Sequence, residues 1–194
     1  NILGSKENSR NTCFSTRGFA EKVFLKSDIP CLILQVPMVL GEGDYASTAL
    51  RKHALSHFNF SFRKKSVEQP IYAGDIVEAI RNDILKVLSG KTSATGIKFL
   101  AGIEPLTREN LIQMAAKIMG VKVRVFSVPL ALGICLAWVF EKLLIDPPIS
   151  RAMLGVLDHD DNVDPFPACK QLDIELTSLK SMLKSTMAFK ANNK

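Results

Sequence analysis

Leu32-Ile33-Leu34-Gln35-Val36-Pro37-Met38-Val39-Leu40-Gly41-Glu42-Gly43-Asp44 is the stretch whose reading decides the fold. An almost unbroken apolar run stops in a loop with a Pro, two Gly and two acids. Continuous hydrophobicity without alternation marks a strand covered on both faces, as in a parallel sheet flanked by helices. Ligands of such open sheets bind beyond the carboxyl ends of the strands, so Pro37 to Asp44 is the first candidate for a site wall.

Upstream, Phe14, Ala20, Val23 and Phe24 fit one face of a helix over Thr12 to Lys26, which Ser27-Asp28-Ile29-Pro30 ends. Helix, turn and buried strand make half of a βαβ unit. The opening Asn1-Ile2-Leu3-Gly4 looks like the end of a strand entering a loop, and the chain reads as a fragment of something longer.

Downstream, Tyr45 to Leu55 is helical in pattern, and Phe58 to Arg63 alternates as a half-exposed strand. Asp75 stands at an N-cap position before a helix whose apolar face is Ile76, Ala79, Ile80, Ile84 and Val87. Ile97 to Gly102 reads as a strand, and Thr107 as the N-cap of a helix lined by Leu111, Ile112, Ala115 and Ile118. Val121 to Phe126 alternates as a further strand, and the apolar helix Leu130 to Leu144 follows. A short helix from Ser150 to Leu157, the acidic turn Asp158 to Asp164 and a closing helix capped by Thr177 complete the series. Strands and helices interleave, which argues α/β with a smaller, more irregular lobe at the end.

The 194 residues are 47% hydrophobic and 23% charged, enough for a packed core. A net charge of +6 suits an anionic ligand, but the tight basic clusters, Arg63-Lys64-Lys65 and the tail Lys184 to Lys194, lack interleaved aromatics, so no nucleic-acid partner is expected. Cys13, Cys31, Cys135 and Cys169 form no Cys-x-x-Cys pair, which points away from zinc ribbons and toward a reducing, cytoplasmic-type compartment. The most apolar window, Val128 to Phe140, holds Pro129 and Gly133 and falls short of the roughly 20 residues of a transmembrane span. It is either a buried helix or one that faces a protein partner.

Asp158-His159-Asp160-Asp161-Asn162-Val163-Asp164 places oxygen ligands as the first half of a calcium loop does, but Val163 and Cys169 stand where its Gly and Glu belong. Capping by Asx side chains is the expectation, with His159 a charged partner inside the turn. His53 and His57 lie one helical turn apart without a third ligand, so no metal site is expected. A Gly-x-Ser-x-Gly elbow, a Gly-x-x-x-x-Gly-Lys loop and a Gly-x-Gly-x-x-Gly fingerprint are all missing from the sequence.

Ser15-Thr16-Arg17-Gly18-Phe19-Ala20-Glu21, then Leu32 to Asp44, then Gln69-Pro70-Ile71-Tyr72-Ala73-Gly74-Asp75-Ile76-Val77-Glu78-Ala79-Ile80 resemble, in order and spacing, the second half of the extended and atypical short-chain dehydrogenases/reductases, the NAD-dependent epimerase/dehydratase family. The branch with the accessory subunit of respiratory complex I is the most similar, through Glu104-Pro105-Leu106-Thr107 and the helix Leu130 to Leu144.

The resemblance implies an α/β fold: the second half of a Rossmann-type parallel-sheet domain in residues 1–45, and a smaller mixed C-terminal substrate lobe in residues 46–194, with returning Rossmann elements near 68–90. It implies NAD or NADP as cofactor, touched by Pro37, Met38 and Val39, and a small-molecule substrate facing Gly41, Asp44 and Tyr45. Active members carry Tyr-x-x-x-Lys on the first helix, where Lys lowers the Tyr pKa and grips the ribose. Here Cys13 and Arg17 occupy those positions. Arg17 keeps a fork of donors for ribose or phosphate, whereas Cys13 reads as a small packed side chain. Two functions therefore stand side by side: an NAD(P)-binding oxidoreductase or sugar-nucleotide epimerase/dehydratase, and a catalytically silent binding or assembly module of the same fold.

Overall fold

The computed structural model describes residues 1–188; residues 189–194, with the end of the basic tail, lie outside the described residues. In chain order the elements are α1 (Thr12–Leu25), β1 (Leu32–Gln35), β2 (Val39–Leu40), α2 (Tyr45–Leu55), β3 (Phe58–Phe62), β4 (Val67–Glu68), β5 (Ile71–Tyr72), α3 (Ala73–Leu88), β6 (Gly96–Phe99), β7 (Leu106–Thr107), α4 (Arg108–Ile118), β8 (Arg124–Val128), α5 (Leu130–Leu143), α6 (Arg151–Val156), α7 (Phe166–Leu172) and α8 (Leu179–Ala188).

β1 is the parallel strand that its composition predicts. It pairs with β6 in the register Leu32↔Gly96 to Gln35↔Phe99, and a parallel bridge joins Ile2 to Val36 on its other edge. Leu3 N–H donates to the Val36 carbonyl at 2.8 Å and Val36 N–H to the Asn1 carbonyl at 2.9 Å, so Asn1 to Leu3 run as a short strand beside it. Leu32, Leu34 and Val36 pack against a core of Ile71, Ala79, Leu100, Ala168, Cys169 and Leu172. Gln35, on the opposite face by the two-residue alternation of a strand, is buried and donates to both carboxylate oxygens of Glu21 at 3.0 Å. Asn1 donates to the same carboxylate at 2.6 Å. Glu21 thereby fastens α1 to the sheet.

A second core, built on Leu40, Leu50, Ala54, Leu111, Ile112, Ala115, Met182 and Leu183, joins α2, α4 and α8. β3 pairs with β8 in parallel, β2 with β5 in parallel and β4 with β7 in an antiparallel ladder.

Several local expectations change in the fold. Asp75 does not cap α3: that helix starts at Ala73 with Tyr72 at the N-cap, and buried Asp75 accepts from Thr177 N–H at 2.9 Å and from Thr177 Oγ1 at 2.6 Å. Thr177, expected to cap α8, is used there instead, and Ser178 Oγ accepts from Ser181 N–H at 3.3 Å. The strand expected from Val121 begins at Arg124, because Gly120 (φ 72°) lets Val121 N–H close α4 onto the Ala116 carbonyl. α7 has no counterpart in the sequence reading, since the Pro residues of Asp164-Pro165-Phe166-Pro167 mimic a loop. Proline is compatible with a first helical turn, and Ala168, Cys169 and Leu172 of α7 fill the core.

The face Ile76, Ala79, Ile80, Ile84, Val87 is only partly covered. Ala79 is fully buried, while Ile80, Ile84 and Val87 are exposed, as are Val23 and Phe24 of α1. In β3 the outcome is inverted: Phe58 and Phe60 face outward against Phe126, and Asn59 turns inward.

Candidate functional site

The chain leaves β1 through Val36-Pro37-Met38, and the strand at Ile2 ends beside it in Leu3-Gly4, so both carboxyl ends open into one crevice. An inner cavity of about 190 Å³ lies there, lined by Leu3, Phe14, Pro37, Met38, Glu68, Arg108, His159 and Asp161 together with Ile2, Val156 and Leu157. This is where an open parallel sheet takes a ligand. An outer cavity of about 400 Å³ adjoins it, walled by Gly4, Ser9, Asn11, Phe14, Gly155 and His159. A third, larger groove of about 770 Å³ runs along the edge of β1 between Arg17, Phe24, Leu34, Ile76, Ile80 and Ile84.

Each side chain of the inner cavity is held by local structure. Asn11 caps α1 by accepting from Cys13 N–H at 2.8 Å, which sets Phe14 into the walls of both the inner and outer cavities. Cys13 lines neither. Arg108, the first residue of α4, donates from Nε to Glu68 Oε1 at 2.8 Å, bonds the same oxygen through Nη2, and reaches the Phe62 carbonyl at 3.2 Å. The side chains of this pair are 16% and 7% exposed, so the charge on Glu68 is met by a desolvated partner.

The acidic turn closes the cavity. Arg63 bonds the Leu157 carbonyl at 2.8 Å and pairs with Asp158 and Asp160 at 3.4 Å, and Asp160 Oδ1 accepts from Val67 N–H at 3.1 Å. Gln69 exchanges two bonds of 2.9 Å with the backbone of Val163 and donates to the Gly102 carbonyl at 2.7 Å. Asp161 N–H donates to the Val67 carbonyl at 2.9 Å. Burial, reinforced by Glu68 and opposed by Arg108, pushes the Asp161 carboxyl up to about 7. His159 Nε2 stands 3.9 Å from Asp161 Oδ1, and Phe14 packs edge-on to the imidazole at 5.5 Å.

The residues singled out from sequence are dispersed over the molecule. Pro37 and Met38 line the inner cavity, whereas Val39 begins β2 and packs on the core. Arg17 lines the large groove near Asn1 and not the crevice. Asp44 caps α2, accepting from Ser47 N–H and Gly41 N–H at 2.5 Å, and so closes its own loop. Tyr45 is 91% exposed. None of Gly41, Asp44 and Tyr45 lines the three cavities described. Glu42, in the same loop, accepts from Tyr72 Oη at 2.8 Å and from Ser185, and those bonds hold its carboxyl below the usual range.

Sequence reasoning missed Glu68, Arg108 and the special place of Asp161. Each belongs to a different segment, and only the tertiary fold converges them. The signal available was the density of acids in the turn, which correctly predicts Asx capping at Asp164, whose Oδ1 accepts from Phe166 N–H at 3.0 Å. Among the described residues no group of three or more His, Cys, Asp or Glu side chains is arranged to hold a metal, and no helix is long and apolar enough to cross a membrane.

No family model matches the chain, and no curated protein matches it. Solved structures do. UDP-glucose 4-epimerase of Thermus thermophilus, in complex with NAD, is 13% identical with a TM-score of 0.63, and the match covers 97% of this chain and 60% of that one. UDP-glucuronic acid 4-epimerase of Bacillus cereus, with UDP-glucuronic acid and NAD, gives 19%, a TM-score of 0.60, and coverage of 91% and 51%. dTDP-glucose 4,6-dehydratase of Bacillus anthracis, with NAD, gives 13%, a TM-score of 0.59, and coverage of 94% and 52%. The chain thus spans half to three-fifths of the length of these proteins. It has their α/β fold over that part: the second half of a Rossmann-type parallel-sheet domain with a mixed C-terminal lobe.

Proposed function

We propose that the chain forms the C-terminal portion of an NAD(P)-binding oxidoreductase of the short-chain dehydrogenase/reductase type, or of a sugar-nucleotide epimerase/dehydratase. The observation that carries this reading is the crevice at the carboxyl ends of the parallel strands, walled by Pro37 and Met38, in a fold whose solved counterparts hold NAD. Pro37 and Met38 offer an apolar wall for a flat ring, with Val39 behind them, and Arg17, in the separate groove along the β1 edge, would be the ribose or phosphate contact that the family resemblance implies. A glycine-rich phosphate cradle is not among these 194 residues. A bound nicotinamide would supply hydride chemistry; this chain would orient the ring at Pro37–Met38. Gly41, Asp44 and Tyr45 would face the substrate lobe, in a reducing, cytoplasmic-type compartment.

A second reading, the catalytically silent binding or assembly module, is favoured by two observations. Cys13 and Arg17 hold the Tyr and Lys positions and neither lines the inner cavity. α5 turns Gly133 and Ala137 inward and leaves Leu132, Leu136, Trp138 and Leu143 exposed, a face suited to a protein partner. Titration of NADH and NADPH against the protein, followed by nicotinamide fluorescence, tests both. Binding with turnover on a panel of nucleotide sugars and carbonyl compounds supports the enzyme, and tight binding without turnover supports the module. Absence of binding would remove the cofactor from both.

A further inference from the structure

Two carboxylates, Glu68 and Asp161, converge on the inner cavity, and one guanidinium serves them. Arg108 uses three of its five N–H donors, those of Nε and Nη2 on Glu68 and one of Nη1 on the Phe62 carbonyl, and none of these bonds reaches Asp161. The Asp161 side chain, 15% exposed, accepts no hydrogen bond from a described residue, and His159 Nε2 stands 3.9 Å from its Oδ1. The imidazole belongs to the walls of both cavities, so it stands between Asp161 and the outer, more open space. Phe14 on one side and Gly4 on the other fix the ring: a Cβ on Gly4 would come within 2.8 Å of His159 Nε2.

We propose that the inner cavity is an acid site in which the neutral carboxyl of Asp161 donates a hydrogen bond to an oxygen of a small carbonyl or carboxylate ligand, with His159 as the positioning residue between it and the outer cavity. A low-dielectric site with two acids and one cation hydrogen-bonded to Glu68 favours a proton on Asp161. The elevation of Asp161 to about 7 agrees with that, the facing charges being Glu68 of β4, Arg108 of α4, and Asp160 within the turn. This site needs no nucleotide, so it stands or falls apart from the cofactor reading.

Diazoacetamide esterifies carboxylic acids in their protonated form: the carboxyl proton moves to the diazo carbon and the carboxylate displaces dinitrogen. It reads both the proton and access to it. The protein is treated from pH 5 to 9 without nucleotide, and esters are located by peptide mass spectrometry. Asp161 is expected to react at pH 7 at least about tenfold faster than Asp158, whose side chain is 68% exposed, with a rate that falls as pH passes about 7. Labelling of Asp161 no faster than Asp158 would overturn the proposal. Glu68→Gln frees Arg108 to serve Asp161, and the pH 7 rate should drop about tenfold; an unchanged rate refutes the shared-guanidinium argument. His159→Gln alters the wall between Asp161 and the outer cavity and should change the esterification rate of Asp161 across the pH range while the melting temperature holds, and an unchanged rate removes His159 from the site.

Discussion

Replacing Asp75 and Thr177 singly and together tests how the C-terminal segment is held. Asp75 is 4% exposed and accepts from the Thr177 N–H at 2.9 Å and from Thr177 Oγ1 at 2.6 Å. Hydrogen bonds to a charged group contribute about 1.5–3 kcal/mol each. Asp75→Ala removes both and strands a backbone donor, for an expected loss of about 3–5 kcal/mol. Thr177→Val removes only the hydroxyl bond and should cost about 1.5–2 kcal/mol. Because the two share a bond, the double variant should recover about 1–2 kcal/mol relative to the sum. Urea unfolding followed by circular dichroism reads these values; with a slope of about 2–3 kcal/mol/M, the midpoint of Asp75→Ala falls by about 1–2 M. A Thr177→Val variant within about 0.3 kcal/mol of the parent, with additive energies, would show that Asp75 caps α3 as its sequence position suggests, and the structural argument would fail.

Other outcomes follow from the same geometry. Asp161 has a folded-state pKa raised from 3.8 to about 7, so its contribution is fully present below about pH 4 and is lost as pH rises through about 7. Asp161→Asn should therefore match the parent near pH 4 and exceed it at pH 8 by on the order of 2 kcal/mol after solvent screening, and a variant less stable at pH 8 contradicts this. Gly18→Ala puts a Cβ 2.3 Å from the backbone of Lys6 and Glu7, and should cost about 3 kcal/mol in thermal or urea unfolding because neither neighbour is a movable side chain. Ile84→Lys, at a 53% exposed position in the large groove, should change stability by under about 0.5 kcal/mol yet lower the fluorescence of a bound apolar dye.

The parallel strand at Leu32, the helices from Tyr45 and Arg108 and the apolar α5 were legible because each rests on local periodicity and capping, and Thr107 does accept from Asn110 N–H at 3.2 Å, although Leu32 to Leu34 are only partly buried and not covered on both faces as their composition suggests. Asp75 and Thr177 were misread for one reason: each is a sound cap for its own helix, and a long-range bond between them satisfies both at once. The aromatic alternation of β3 showed a strand but not which face is buried, since the inward Asn59 is matched by the His53 ring at 2.7 Å, a partner on another element. At the site, Pro37 and Met38 were reachable because the exit of a parallel strand is a topological address. Glu68, Arg108 and Asp161 were not, because their significance is a ratio of charges that exists only after three segments meet.

On the edge of β1 away from β6, the ladder begun by Asn1 to Leu3 ends where the Asn1 amine donates to the Leu34 carbonyl at 2.6 Å, and along Leu32 and Ile33 no described strand lies on that edge. Unpaired backbone donors and acceptors between flanking apolar side chains such as Phe24, Ile80 and Ile84 form a template that any extended chain can extend. Solution behaviour then becomes a matter of concentration: the 194-residue chain on its own should self-associate with a steep dependence on its amount. A strand that seats in this slot would raise solubility and folding yield together, before any chemistry is measured.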